Sequence, residues 1–292
     1  MSRPYNFGPG PAQMPTEVLS KASRGLLEWK KTGMSVLELG HRAPDFREII
    51  ENVTQKAIEL LKIPNTHKLL FMQGGARGQN AIVPMNLMKN NFECDYAVTG
   101  FWSDLSANEA NKFGKVNIAT TIEGEPSFIP SCTNWTIQKN SSYLHFCSNE
   151  TVNGVEFPDW PDMTKIQREN VPLVVDMSSN ILSKPMNFSE LGLAYASAQK
   201  NLGPAGLTIV IVKESLLHES PARGLGICPK VFDYSNLIQN YSLYNTPPTF
   251  AIYVTGLMVE WLMKEGGLEQ IAKKNFEKSK LLYDTIDSSD FY

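Results

Sequence analysis

The chain has 292 residues, 42% hydrophobic and 20% charged, with a formal net charge of −3; that much apolar material excludes wholesale disorder and provides for a sizeable core. Its 20 glycines and 18 prolines are close to ordinary usage, which excludes collagen-like and linker-dominated chains. No Lys/Arg block is longer than two, which sets aside a nucleic-acid role or a polybasic membrane role.

In chain order, the first residues, Ser2-Arg3-Pro4-Tyr5-Asn6-Phe7-Gly8-Pro9-Gly10, form no apolar stretch and are broken by prolines, unlike a secretory leader. No apolar run approaches the roughly 18 residues needed to cross a bilayer, so the expectation is a cytoplasmic protein without membrane or nucleic-acid partners. Thr16 is expected to cap a helix over 17–31, with Val18, Leu19, Ala22, Leu26 and Trp29 near a 3.6 period. A second helix over 45–62 aligns Phe46, Ile50, Val53, Ala57 and Leu60. Short apolar runs at 69–72, 96–99, 143–147, 173–176, 194–197 and 207–212 read as strands, with helices between several of them, notably at 76–88 and 102–113. Strands alternating with helices imply crossovers, hence an α/β fold with a mostly parallel sheet flanked by helices. Beyond Pro247-Pro248 the pattern turns helical, over 249–264 and 268–286. The closing aromatics, Phe291 and Tyr292, leave two readings open: a strand beginning there, or rings packed on the last helix.

Cys94, Cys132, Cys147 and Cys228 form no CxxC pair, and the four histidines form no HExxH. No metal site is therefore expected, and free thiols in a reducing compartment are the simpler reading.

In an open α/β sheet, ligands gather outside the carboxyl ends of the strands. Val174-Val175-Asp176 leaves a carboxylate at such an end, and Ala196-Ser197-Ala198-Gln199-Lys200 brings a lysine out of another strand into Asn201-Leu202-Gly203-Pro204-Ala205-Gly206. Singly, each is more often a turn or solvated residue. Together they point to pyridoxal phosphate, which needs a lysine for a Schiff base and an acid against its pyridine nitrogen. Phe71-Met72-Gln73-Gly74-Gly75-Ala76-Arg77-Gly78-Gln79 reads as a strand, a glycine turn and a helix start, whose N–H groups suit a phosphate. It lacks the lysine of a P-loop and the GxGxxG spacing, so a nucleotide-binding module is the weaker reading. Trp102, opening another helix after a strand, offers an indole to a flat ring, although a single tryptophan is more often a core residue.

With these segments in place the chain resembles the phosphoserine aminotransferase family, transaminases of the aspartate aminotransferase-like, fold type I class. The resemblance runs over essentially the whole chain and includes Glu38-Leu39-Gly40-His41-Arg42, Asn149-Glu150-Thr151-Val152-Asn153-Gly154-Val155-Glu156, Asp176-Met177-Ser178-Ser179-Asn180 and Tyr244-Asn245-Thr246-Pro247-Pro248-Thr249-Phe250. It implies that Lys200 carries the cofactor, that Asp176 pairs with the pyridine nitrogen and that Trp102 stacks on the ring. Thr151 would bond near the ring, with Ala76, Arg77 and Gln199 holding the cofactor and its phosphate. Asn245 and Thr246 would reach that phosphate from the neighbouring subunit of a homodimer. His41, Arg42 and Arg77 would face the anionic end of the substrate. The implied reaction converts O-phospho-L-serine and 2-oxoglutarate to 3-phosphohydroxypyruvate and L-glutamate, in serine biosynthesis. The organisation implied is an arm over 1–15, a cofactor-binding domain over 16–264, and a helical segment over 265–292 leading toward a small C-terminal domain that the chain lacks or carries truncated. The alternative is a catalytically weak form that binds the cofactor and dimerises. Ala76 also departs from the third glycine of many relatives, tolerable unless its φ is positive.

Overall fold

The structure, a computed structural model, describes residues 3–122, 124, 128–217 and 227–291. Residues 3–15 form no regular element, and α1 (Thr16–Leu27) follows. The helix stops four residues short of the expected end. Trp29 is buried from the loop beyond it, its N–H bonded to the Met34 carbonyl at 2.8 Å. Thr16 is the first helical residue and not the cap, since Pro15 takes that place without a side-chain bond. α2 (Pro44–Leu61) matches its expected span. All five of its periodic residues are buried, proline opens it where no donor is needed, and Lys62 closes it in the left-handed region.

The centre of the molecule follows: β1 (His67–Met72), α3 (Gly75–Leu87), β2 (Glu93–Val98), α4 (Phe101–Ala110), β3 (Lys115–Thr121) and β4 (Leu144–Cys147). A small hairpin of β5 (Asn149–Glu150) and β6 (Val155–Glu156) precedes α5 (Met163–Ile166), β7 (Leu173–Asp176), β8 (Leu191–Ser197) and β9 (Thr208–Lys213). α6 (Tyr234–Gln239), α7 (Thr249–Lys264) and α8 (Gly267–Asp287) complete the order. Seven strands form one sheet in the order β1-β9-β8-β7-β4-β2-β3. The pairs among β2, β3, β4, β7 and β8 are parallel, and β9 runs antiparallel to both its neighbours.

β4 and β8 are buried at every position, because helices cover both faces of the sheet; this is why they read as continuous apolar runs. One core lies on the face toward α2 and α7, and a second lies on the face toward α3 and α4. β3 is absent from the sequence reading for a physical reason. It is an edge strand with only Ala119 buried, whereas β1 at the other edge is buried at five of its six positions. α8 buries Leu268 and Ile271 and leaves Phe276, Leu281, Leu282 and Tyr283 exposed. Phe291 sits exposed in a turn and starts no strand, while Tyr292 lies outside the described residues, as do Met1 and Ser2 of the expected arm. No described helix is long and apolar enough to cross a membrane.

Candidate active site

Five strand ends deliver one cavity. β7 ends on Asp176, and β8 ends on Ser197 with Gln199 and Lys200 directly beyond. β1 runs into Gly74 and Gly75, whose φ values of 97° and 66° lie in the left-handed region that glycine enters freely and that turns the chain into α3. β2 runs into α4 with Trp102 in its first turn, and β4 runs into the hairpin carrying Thr151. These residues line a cavity of about 280 Å³.

At its mouth the half-buried Lys200 Nζ donates to Thr151 Oγ1 at 2.5 Å and to Ser179 Oγ at 2.7 Å. Those two hydroxyls are also in contact with each other. Burial lowers the Lys200 pKa, and the Asp176 charge pulls it partly back. Burial raises the Asp176 pKa. Hydrogen bonds from Ser178, whose N–H lies 2.9 Å from Oδ1, and the Lys200 charge offset part of that rise. A carboxylate held at this cost gains most from a cationic N–H partner in the cavity.

The first turn of α3 supplies Gly75, Ala76 and Arg77 to the wall, with backbone N–H groups that have no intrahelical partner. Ala76 is absent from the positive-φ residues, so its methyl group brings no strain. Arg77 places its guanidinium 5.7 Å from the centre of the Trp102 ring. The indole N–H of Trp102 is buried without a hydrogen-bond partner. An orphaned donor beside a helix N-terminus and an arginine suits a phosphorylated aromatic cofactor, and Asp176 and Lys200 supply the two groups pyridoxal phosphate requires. The site residues fit that group. The N-terminal segment closes the rim: Ala12 N–H donates to the Gln199 carbonyl at 2.9 Å, and a Cβ on Gly10 would meet Lys200 Cγ at 3.0 Å.

The structure thus brings Ala76, Arg77, Trp102, Thr151, Asp176, Gln199 and Lys200 to one cavity. His41, Arg42, Asn245 and Thr246 lie outside it, in a second cluster on the same chain. Arg42 donates to the Tyr244 carbonyl at 3.2 Å, and His41 Nδ1 lies 3.4 Å from Thr246 Oγ1. Gln73 joins this cluster to the glycine turn through the Thr246 carbonyl at 3.0 Å. Sequence reasoning assigned no role to Ser178, Ser179, Ser197, Cys147 or Glu150. Only their neighbourhood with Asp176, Lys200 and Thr151 in the motifs pointed to them. A larger cavity of about 920 Å³ opens between Trp135, Trp160, Leu173 and Lys213. It sits at the amino ends of β7 and β8, the opposite end of the sheet, and has none of these groups.

Comparisons with known proteins show the family and the fold. The class-V aminotransferase family profile matches residues 4–292. The phosphoserine aminotransferase of Paraburkholderia phymatum is 47% identical over 292 residues, spanning 99% of this chain and 79% of that one. The structure of phosphoserine aminotransferase from Bacillus circulans subsp. alkalophilus superimposes with a TM-score of 0.92 at 40% identity, over 98% of this chain and 77% of that one. The pyridoxal-phosphate-bound enzyme from Trichomonas vaginalis gives 0.91 at 36% identity, over 98% and 78%.

Proposed function

Because the chain belongs to the class-V aminotransferases and, within them, to the phosphoserine aminotransferase family, it is a pyridoxal-phosphate transaminase, and we propose that it exchanges the amino group of O-phospho-L-serine with 2-oxoglutarate. The products are 3-phosphohydroxypyruvate and L-glutamate, and the role is in serine biosynthesis. We further propose a cytoplasmic homodimer with shared active sites. The observation that carries the reading is Lys200 and Asp176 lining one cavity with the glycine turn and first residues of α3.

When bound, pyridoxal phosphate supplies an electron sink for the pair left when a substrate Cα–H bond breaks. This chain's residues supply the rest. Lys200 Nζ would hold the cofactor and would be the base that moves a proton at the substrate Cα. Its burial favours the neutral amine this needs. Thr151 and Ser179 orient Nζ through their hydroxyls. Asp176 would pair with the pyridine nitrogen and favour its protonated form. Ala76, Arg77 and Gln199 would hold the phosphate, and Trp102 would cover the ring and exclude water from it. Asn245 and Thr246 are assigned to the partner subunit's cofactor phosphate. His41, Arg42 and Arg77 are assigned to the anionic groups of the substrate, where a guanidinium binds two oxygens at once.

The test is a turnover assay with L-glutamate and 3-phosphohydroxypyruvate on protein loaded with pyridoxal phosphate. Formation of phosphoserine is expected. A visible cofactor band that glutamate shifts, with turnover only on non-phosphorylated oxo acids, would overturn the substrate while keeping the reaction type.

A further inference from the structure

Glu150 is fully buried between the strand that ends at Cys147 and the helix that carries Trp102. Its carboxylate accepts the Trp102 N–H on Oε2 at 2.8 Å and the Ser103 N–H on Oε1 at 2.9 Å, one oxygen for each orphan donor at the start of α4. Asn153, across the same hairpin, accepts the Phe101 N–H at 3.0 Å. Three successive amides of one helix are thus held by a hairpin some fifty residues away in sequence.

The close approach leaves no room for a side chain at Gly100. A Cβ there would fall 2.6 Å from both Glu150 Cγ and Asn153 Oδ1. Gly100 has a φ of 174°, an extended conformation open to any residue, so the constraint is space and not backbone strain. The residue after Glu150 is Thr151, which binds Lys200 Nζ. Cys147, three residues before Glu150, lines the same cavity wall. Two parts of the cavity lining, the helix turn bearing the indole and the hydroxyl that orients the lysine, are therefore joined through one residue. A carboxylate suits that place, because a helix N-terminus favours negative charge and charge-assisted bonds resist fraying.

We propose that Glu150 is a positioning residue for the cofactor: its clamp on the first turn of α4 sets the Trp102 ring and ties it to the hairpin bearing Thr151. This rests on the pyridoxal-phosphate reading of the cavity.

The test is a double-mutant cycle on pyridoxal phosphate affinity, combining Glu150→Ala with Trp102→Ala, and Glu150→Gln alongside. Glu150→Ala weakens binding by roughly tenfold, the scale of losing a helix cap. Glu150→Gln, which keeps one acceptor, recovers part of the loss. In the Trp102→Ala background the same change has no further effect, since the clamp acts through the indole. Equal losses in both backgrounds, or no loss in either, would overturn the proposal; should Glu150→Ala not fold, the Glu150→Gln cycle decides in the same way. Amide exchange in protein free of cofactor gives a second readout, with faster exchange at Trp102 and Ser103 expected in Glu150→Ala and unchanged exchange counting against the clamp. A parent protein that forms no visible band overturns the cofactor reading instead, and amide exchange still decides the clamp.

Discussion

The cavity at Lys200 and the cluster at His41 stand on the same face of the chain and differ in how they are held. In the cavity Nζ rests on two hydroxyls, Asp176 on the Ser178 N–H and the Trp102 backbone N–H on the Glu150 clamp, while the indole N–H alone of these groups lacks a partner. In the cluster Arg42, Tyr244 and Thr246 are exposed, and its contacts run from 3.0 Å at Gln73 through 3.2 Å at Arg42 to 3.4 Å at His41. The groups of the first region are bonded to one another within one chain. The second presents an arginine and a hydroxyl outward, while His41 is half-buried and its Nε2 has no hydrogen-bond partner; under the shared-site proposal this surface serves the cavity of a neighbouring subunit. The proposal sets residues that would perform chemistry apart from residues that would only complete a binding site, and four experiments can break or sharpen it.

The largest effect is expected at the lysine. Lys200→Ala removes both the anchor and the proton carrier, so activity falls at least about a thousandfold while the fold persists. Loss of the visible cofactor band with an unchanged thermal transition is the expected signature. A variant that keeps parental turnover would remove the lysine from the mechanism.

Asp176→Asn comes next, and it moves activity and stability in opposite directions. Burial raises the Asp176 pKa, so the folded protein without cofactor holds a proton more tightly than the unfolded chain does. The stability linked to this group is whole below the unfolded carboxylate pKa and is lost as pH rises through the folded one. At neutral pH the buried charge is a liability, which asparagine removes while its oxygen can still accept the Ser178 N–H. The cofactor-free variant should therefore melt higher than its parent at pH 7, while turnover drops by roughly a hundredfold or more with the loss of the partner for the ring nitrogen. Calorimetry beside an activity assay checks both signs.

Sharing of sites is tested by mixing two inactive proteins, Lys200→Ala and the double variant Arg42→Ala, Thr246→Ala. In a twofold dimer with shared sites, one of the two sites in each mixed dimer has an intact cavity facing an intact cluster, so random exchange restores about a quarter of parental activity. No recovery after proven subunit exchange would return the cluster to its own chain's cavity.

The two regions also differ in how far the amino-acid order revealed them. Asp176 and Lys200 were readable because each follows a strand buried on both faces, and such strands announce themselves as apolar runs ending at a polar residue. The helices at 45–62 and 249–264 were readable from their period and from the prolines near their starts. β3 was not, because an edge strand with one buried residue has no apolar signal. The reversal of β9 was hidden as well, since direction depends on pairing and not on composition. Ser179 and Glu150 were quoted within motifs yet carried no visible role. Their partners, Lys200 and the amides of Trp102 and Ser103, lie 21 to 48 residues away and meet them only in the folded chain.

The smallest effect at assay pH concerns the floor beneath the cavity. His145 lies two residues before Cys147 on the same sheet face, and Cys147 pairs with Asp176, which in turn pairs with Tyr195. The Tyr195 hydroxyl donates to Asn80 Oδ1 at 3.3 Å, so it can accept from His145 Nε2 at 2.9 Å, while His145 Nδ1 is buried without a partner. That pattern belongs to a neutral imidazole, and burial brings the His145 pKa down to about 3. The unfolded chain takes up this proton near pH 6.5 and the folded one only near 3. The contribution is therefore whole above pH 6.5 and is lost at roughly 1.4 kcal/mol per pH unit as acid rises toward the folded value. His145→Asn should flatten the stability profile between pH 6 and 4 by about one proton, with little change in turnover at pH 8. If parent and variant lose stability in parallel over that range, the floor is not held by a neutral histidine, and the firmness of the cavity relative to the exposed cluster must come from its walls alone.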